Sequence, residues 1–241
     1  MISIQLEDIT VAYDTEAVLS HFNLAIEHGE FVTIIGSSGC GKTTALKLMN
    51  GLLKPESGRV LVNGTDIAAA NRIRLRRSIG YVIQEIGLFP HMTVEKNISY
   101  VLNLEKKKDK KEIHEKVIQM MEIVGLDREF LGRYPDELSG GQRQRVGIAR
   151  AFIAAPDILL MDEPFGAVDE ITRRKLQEEM KELHRKMGST VVFITHDIGE
   201  ALKLGTRVIV MDQGKIIQQG SPDMIREEPA TEFVRSLVER V

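Results

Sequence analysis

The chain has 241 residues, 43% of them apolar, enough for a substantial core in one large domain or two intimately joined ones. Thirty-two basic residues stand against 35 acidic ones, a formal charge of −3, so no global field points to nucleic acid as a partner. No apolar run approaches the ~20 residues of a bilayer span, the first residues do not read as a basic-then-apolar leader, and the single cysteine, Cys40, cannot form an internal disulfide, so a cytoplasmic chain is expected.

Ile2 to Tyr13 alternates apolar and polar residues, breaks at Asp14-Thr15 and resumes over Val18 to Ile26, the pattern of antiparallel strands. Tyr13, one of four tyrosines in a chain without tryptophan, is either an edge-strand aromatic or a flat face on which an adenine ring stacks.

Residues 31 to 50 follow. Phe31 to Ile35 reads as a buried strand, Gly36 to Thr44 fits G-x-x-x-x-G-K-[ST], and Ala45, Leu46, Leu48 and Met49 continue at helical spacing. A polyanion must be wrapped closely by backbone N–H groups, which Gly36, Gly39 and Gly41 permit because no side chain intervenes. The positive end of the following helix adds to that field. Ser37, Ser38 and Cys40 complete the loop, with Cys40 as a small filler since no base stands beside it. Lys42 would reach the β- and γ-phosphates, and the Thr43 hydroxyl, with Thr44 beside it, would ligate Mg²⁺.

Gly51 to Gly64 is turn-rich around a short strand at Arg59 to Val62. Asn71 to Ser78 is a basic helix candidate, whose Arg72, Arg74, Arg76 and Arg77 read as a solvated face. The strand Ile79 to Gln84 comes next. From Glu85 to about Pro135 helical patterns dominate, with Thr93 as a cap before Val94 to Leu104 and Ile113 to Val124 apolar at helical spacing. The run Glu105 to Lys111 reads as a solvated loop between them. Beyond Gly147 the chain alternates again, with strands at Ile158 to Met161 and Thr190 to Thr195 around a helix at Arg173 to Met187, which predicts a parallel α/β sheet. Val208 to Met211 and Lys215 to Gln219 flank a hairpin turn at Asp212-Gln213-Gly214. A helical tail follows Ser221-Pro222, with Phe233, Val234, Leu237 and Val238 on one face.

Four further features carry chemistry. Asp162-Glu163 ends a buried strand, where parallel sheets present ligands: Asp162 would hold Mg²⁺ through its water shell and Glu163 would polarise an attacking water. Leu138-Ser139-Gly140-Gly141-Gln142 is a second glycine-centred loop at a helix start, either a helix cap or a second anion site. His196 ends another buried strand and is expected at a γ-phosphate. Gln84, at the end of its strand, would offer an amide oxygen to the metal or the attacking water.

Taken together these motifs resemble the ATP-binding subunits of ABC transporters over essentially the whole chain. In that likeness Walker A is Gly36 to Thr44, the Q-loop glutamine is Gln84, the signature is Leu138 to Gln142, Walker B is Ile158 to Asp162 with Glu163 following, the D-loop is Gly166-Ala167-Val168-Asp169, and the switch histidine is His196. Tyr13 matches the adenine-stacking aromatic.

The resemblance implies an α/β P-loop core at 1–84 and 147–220 with an N-terminal antiparallel β subdomain, a helical signature subdomain at 85–146 and a C-terminal helical tail at 221–241. It implies ATP hydrolysis with Mg²⁺, held by Thr43, Gln84 and Asp162, and with Glu163 as base, His196 and Gln84 as γ-phosphate sensors and Lys42 for charge stabilisation. It also implies a head-to-tail homodimer in which Ser139, Gly140, Gly141, Gln142 and Asp169 meet the partner's ATP. Integral-membrane permease subunits would dock on the helical subdomain at the cytoplasmic face of the membrane, serving indirectly a solute-binding protein.

The stretch Gly80 to Thr93, with Lys47 to Gly51 and Phe165 to Asp169, is similar to importers of glycine betaine, carnitine and choline. Other importers (amino acid, sulfonate or metal), a separate-subunit exporter and a soluble ABC ATPase are the alternatives. Two departures stand out. Glu170 occupies a position where many relatives carry proline, and little loss is expected because a carboxylate suits a helix's first turn. Several osmoprotectant ATPases continue into paired CBS modules, so regulation of that kind is expected to be absent at Val241 or lost with a removed segment.

Overall fold

The computed structural model describes every residue except 14–15, 85–86, 105–108 and 240–241, and the side chain of residue 16. The expected turn at Asp14-Thr15, the start of the helical segment at Glu85 and most of the charged run at 105–111 therefore lie outside the described residues. In chain order the elements are β1 (Ile2–Tyr13), β2 (Glu16–Glu27), β3 (Phe31–Gly36), α1 (Lys42–Met49), β4 (Ser57–Val62), β5 (Thr65–Asp66), α2 (Arg72–Ser78), β6 (Ile79–Val82), α3 (Val94–Leu104), α4 (Lys110–Ile123), α5 (Gly140–Phe152), β7 (Ile158–Asp162), α6 (Glu170–Met187), β8 (Thr190–Ile194), α7 (Ile198–Leu204), β9 (Arg207–Asp212), β10 (Lys215–Gly220), α8 (Pro222–Glu227) and α9 (Glu232–Val238). Their contacts separate into two units, residues 1–78 with 188–241, and residues 79–187.

The first unit contains an antiparallel sheet in the order β2-β1-β4-β5. In β1 the buried apolar residues are Ile4, Leu6, Ile9 and Val11, so the period of two slips between Leu6 and Ile9. A register shift at that point and a positive φ of 50° at Asp8 absorb the extra residue as a bulge. His21 on β2 also has a φ of 50°, and its Nδ1 lies 2.7 Å from Asp8 Oδ1. A second set of strands runs β10-β9-β3-β8, with β3 parallel to both β8 and β9. Flanked on both edges, β3 is apolar but for Thr33, whose hydroxyl donates to Ala201 O at 3.1 Å: Phe31, Val32, Ile34 and Ile35 are at most 1% exposed. Each such side chain stabilises by roughly 1.5–3 kcal/mol when buried.

The tail belongs to this core. Ile225 and Val234 pack with Ile35, Val208 and Val210, and Phe233, Leu237 and Val238 lie against them, the face expected from spacing. Gln218 on β10 holds the link between the two tail helices: its Nε2 donates to Glu228 O (2.9 Å) and its Oε1 accepts from Ala230 N (2.8 Å).

In the second unit β6 and β7 pair in parallel, and α3, α4 and α5 bury Val94, Ile98 and Leu102, Val117 and Met121, and Val146, Ile148 and Phe152. Asn97, fully buried, ties down the segment before α3: its Oδ1 accepts from Phe89 N (2.8 Å) and its Nδ2 donates to Phe89 O (3.1 Å) and Met92 O (3.0 Å).

Several boundaries differ from expectation, among them β8, which ends at Ile194, short of Thr195. Asp109 caps α4 by accepting from Lys111 N at 3.2 Å, so Lys110 and Lys111 start a helix instead of ending a loop. The helix expected from Arg173 begins at Glu170, and β6 stops at Val82, short of Gln84. Among the described residues no helix is long and apolar enough to cross a membrane.

Candidate functional site

In the first unit the glycine loop leaves β3 at Gly36 and enters α1 at Lys42. Its glycines are required by their surroundings. A Cβ on Gly36 would stand 1.9 Å from Met211 O, and one on Gly41, whose φ is 98°, would stand 2.8 Å from a Leu19 methyl carbon. Gly39 also has a positive φ, 77°, and with Ser38 forms the exposed tip. Lys42, only 9% exposed, donates from Nζ to Gly36 O (2.9 Å) and Ser37 O (2.8 Å). Its ammonium is therefore held at the loop's mouth by the loop's own carbonyls. Cys40 is buried, a filler against the lysine (Nζ to Sγ 3.7 Å). Thr43 is half-buried on the first turn of α1 and Thr44 is buried beside it.

Sequence reading took Asp212-Gln213-Gly214 only as a hairpin turn, yet this turn braces the loop. Ser37 Oγ donates to Asp212 Oδ1 at 2.6 Å, and Gly214 N donates to Cys40 O at 3.2 Å. Ile34 of β3 pairs with Ile194 of β8, so Gly36 and His196, each two residues further on, leave the sheet at one edge. His196 is exposed, between Thr195, whose Oγ1 donates to Glu200 Oε2 (2.6 Å), and Asp197, which caps α7. Tyr13 is at the end of β1 and 48% exposed.

The second unit carries the carboxylates. Val82 of β6 pairs with Met161 of β7, which puts Gln84 and Glu163 at equivalent positions two residues beyond, and Gln84 Nε2 donates to Glu163 Oε2 at 3.1 Å. Asp162 is 4% exposed at the end of β7. Glu163 has a φ of 48°, the left-handed region, which costs a non-glycine residue on the order of 1 kcal/mol and persists where the surroundings over-determine it.

Leu138 to Gln142 forms a helix cap: Ser139 Oγ accepts from Gln142 N (3.2 Å) and Gln142 Oε1 accepts from Ser139 N (2.8 Å), a reciprocal capping box at the start of α5. Ser139 is exposed, and Gly140 and Gly141 face the segment that follows Glu163, where Cβ atoms would stand 3.6 Å from Ala167 Cβ and 3.1 Å from Ala167 O. Asp169 Oδ1 accepts from Thr172 N at 3.0 Å; the Thr172 backbone and hydroxyl hydrogen bonds, with Arg145 nearby, hold its carboxyl below the ordinary aspartate value. Glu170, the departure from proline, is the first residue of α6 and pairs with Arg174 (2.9 Å).

Two more residues of this unit carried no sequence signal. Arg150 donates from Nη1 to Gly87 O (2.9 Å), and burial pushes its guanidinium below the ordinary arginine value. Gln144, 3% exposed, reaches both the Glu163 and the Ala167 main chain.

Comparison with known proteins places this geometry. The chain is 48% identical to the glycine betaine/carnitine/choline transport ATP-binding protein OpuCA of Bacillus subtilis over 98% of its own length and 62% of that protein. It is 43% identical to the glycine betaine uptake system ATP-binding protein YehX of Escherichia coli, over 98% of this chain and 77% of that one. It thus spans less than two thirds of OpuCA. Among solved structures, the dimeric post-hydrolysis state of the ATP-binding cassette MJ0796 bound to ADP and Pi superposes with a TM-score of 0.85 at 33% identity, covering 91% of this chain and 98% of that one. Residues 19–166 match the family described as ABC transporter, more than half of the chain, and with the full-length likenesses this means that the chain belongs to the ABC transporter family and has the fold of its ATP-binding cassettes.

Proposed function

We propose that this chain binds and hydrolyses ATP to energise an importer, with quaternary ammonium osmoprotectants such as glycine betaine, carnitine or choline as its cargo. The observation that carries the hydrolytic reading is Glu163: a carboxylate at the end of a buried strand, on strained backbone, accepting from Gln84. The likeness to OpuCA and YehX supports the cargo.

In this reading the N–H groups of Gly36, Ser37, Ser38, Gly39, Cys40, Gly41, Lys42, Thr43 and Thr44 wrap the phosphates, and Lys42 places its ammonium on the β- and γ-phosphates. Tyr13 stacks on the adenine. The donor set of Thr43 hydroxyl, Asp162 carboxylate and Gln84 amide fits Mg²⁺, being all oxygen and few in number, as suits a cation that keeps phosphate and water ligands. Because Gln84 turns its Nε2 toward Glu163, its Oε1 remains for that role. These residues would hold Mg²⁺, which would supply neutralisation of phosphate charge. Glu163 takes the proton of the attacking water, and His196 reads the γ-phosphate from the sheet edge it shares with Gly36.

The signature loop serves a second copy of the chain. The Ser139 hydroxyl accepts from Gln142 N and so keeps its own O–H to donate, and Gly140, Gly141, Gln142 and Asp169 meet the partner's nucleotide with it. The homodimer closes on ATP. The helical segment 85–146 docks permease subunits at the cytoplasmic face of the membrane, and the core at 1–84 and 147–220 carries the nucleotide.

Replacing the base tests this. Glu163→Gln should keep ATP affinity within a few-fold, lower kcat by about 10²-fold or more, and elute as an ATP-dependent dimer in size-exclusion chromatography. Hydrolysis at the parent rate with only monomer would sink the reading. Cargo is decided by ATP-driven uptake of labelled glycine betaine in vesicles that hold this chain together with permease subunits.

A further inference from the structure

We propose that Gln144 is a positioning residue for Glu163 and the following loop: one buried amide on the signature helix bridges the catalytic carboxylate's own peptide and the D-loop backbone. The proposal rests on the hydrolytic reading of Glu163 and extends it to a residue outside every motif named above.

Gln144 is the fifth residue of α5 and is 3% exposed. Its Nε2 donates to Glu163 O at 3.3 Å and its Oε1 accepts from Ala167 N at 2.8 Å. The amide orientation is fixed by these partners, since a carbonyl can only accept and a peptide N–H can only donate. Both polar ends are thus used, and both bonds go to main chain that does not move with a side-chain rotamer.

What they hold is unusual backbone. Glu163 sits at a φ of 48°, and its carbonyl is the acceptor, so Gln144 grips the peptide whose conformation aims the carboxylate at Gln84. Ala167 lies under the signature glycines, where a Cβ on Gly141 would stand 3.1 Å from Ala167 O. The same amide therefore fixes the carboxylate's peptide and the floor of the signature loop. A shift of α5 is transmitted to both through one side chain, without passing through any group that touches nucleotide. Carboxylate aim is the sensitive quantity, because a misplacement of about 1 Å at a reacting group costs up to ~10²-fold in rate.

Gln144→Met is the informative variant, as it keeps length and volume and removes both polar ends. The expected result is a folded protein with ATP KM changed less than about twofold and kcat lowered about tenfold or more. Amide hydrogen exchange at Ala167 should be slow in the parent and faster in the variant, measured without nucleotide. Gln144→Asn keeps the amide but is one methylene short, and should fail with Met. A Gln144→Met kcat within about twofold of the parent, restoration by Asn, or equal Ala167 exchange in parent and variant would each overturn the bridge. A parent chain that hydrolyses no ATP would overturn the proposed function instead, and the exchange arm would still decide the contact.

Discussion

The two glycine loops of this chain differ in what braces them, although Lys42 also ties the first to its own Gly36 and Ser37 carbonyls and the second rests on Ala167. Gly36 to Thr44 is braced from outside: Met211 O stands where a Gly36 Cβ would be, Leu19 stands beside Gly41, and Asp212 and Gly214 bond the loop from the neighbouring hairpin. Leu138 to Gln142 is held from within, by a capping box whose two members satisfy each other, and its Ser139 is exposed. The first loop is a fixed mould, while the second can exchange a local hydrogen bond for a ligand's. This is the difference expected between a loop that keeps its own nucleotide and one that meets a nucleotide only when a second copy arrives.

The comparison is broken most severely at Gly36. Gly36→Ala puts a carbon 1.9 Å from a backbone oxygen, so a loss of stability of about 3 kcal/mol or more is expected, read as a lower denaturant midpoint with nucleotide binding gone. Lys42→Ala leaves the mould but removes its charge; ATP affinity should fall by about tenfold to a hundredfold in calorimetry, with the unfolding midpoint little changed. Ser139→Ala removes half of the capping box and should cost about 1 kcal/mol of stability, with ATP affinity unchanged in the monomer and ATP-dependent dimer formation weakened. Equal losses of ATP affinity in the Lys42 and Ser139 variants would erase the distinction between the loops.

The smallest effect concerns Asp169. Its carboxyl titrates below the ordinary aspartate value in the folded chain, so it contributes stability above the unfolded value that is lost as pH falls through the folded one. Asp169→Asn should flatten the decline of the denaturant midpoint on the acid side and leave it nearly unchanged near neutrality.

Local patterns in the sequence sufficed for the glycine loop between β3 and α1, because strand, glycines and Lys42 are contiguous, and for Asp162 at the end of β7, while His196 lies two residues beyond the end of β8. The bulge at Asp8 was hidden because a single inserted residue looks like imperfect alternation until Leu6 and Ile9 are seen on one face. Asp212 and Gln144 were hidden for another reason. Their importance lies in hydrogen bonds to Ser37 and Ala167, 175 and 23 residues away, and nothing in their own neighbourhoods encodes such partners. The start of α4 was misread because Lys110 and Lys111 belong to a charge run, while the cap that decides the matter, Asp109, is a single residue within it.

Lys42 carries one more implication. A lysine side chain free in solution has about 2 kcal/mol of rotamer entropy to lose when it is fixed on a phosphate. Here the Gly36 and Ser37 carbonyls already confine it at 2.9 and 2.8 Å. Much of that disorder is therefore surrendered when the chain folds and not when nucleotide arrives. In the ATP-binding reading proposed above, a nucleotide would only have to take over an ammonium already in position.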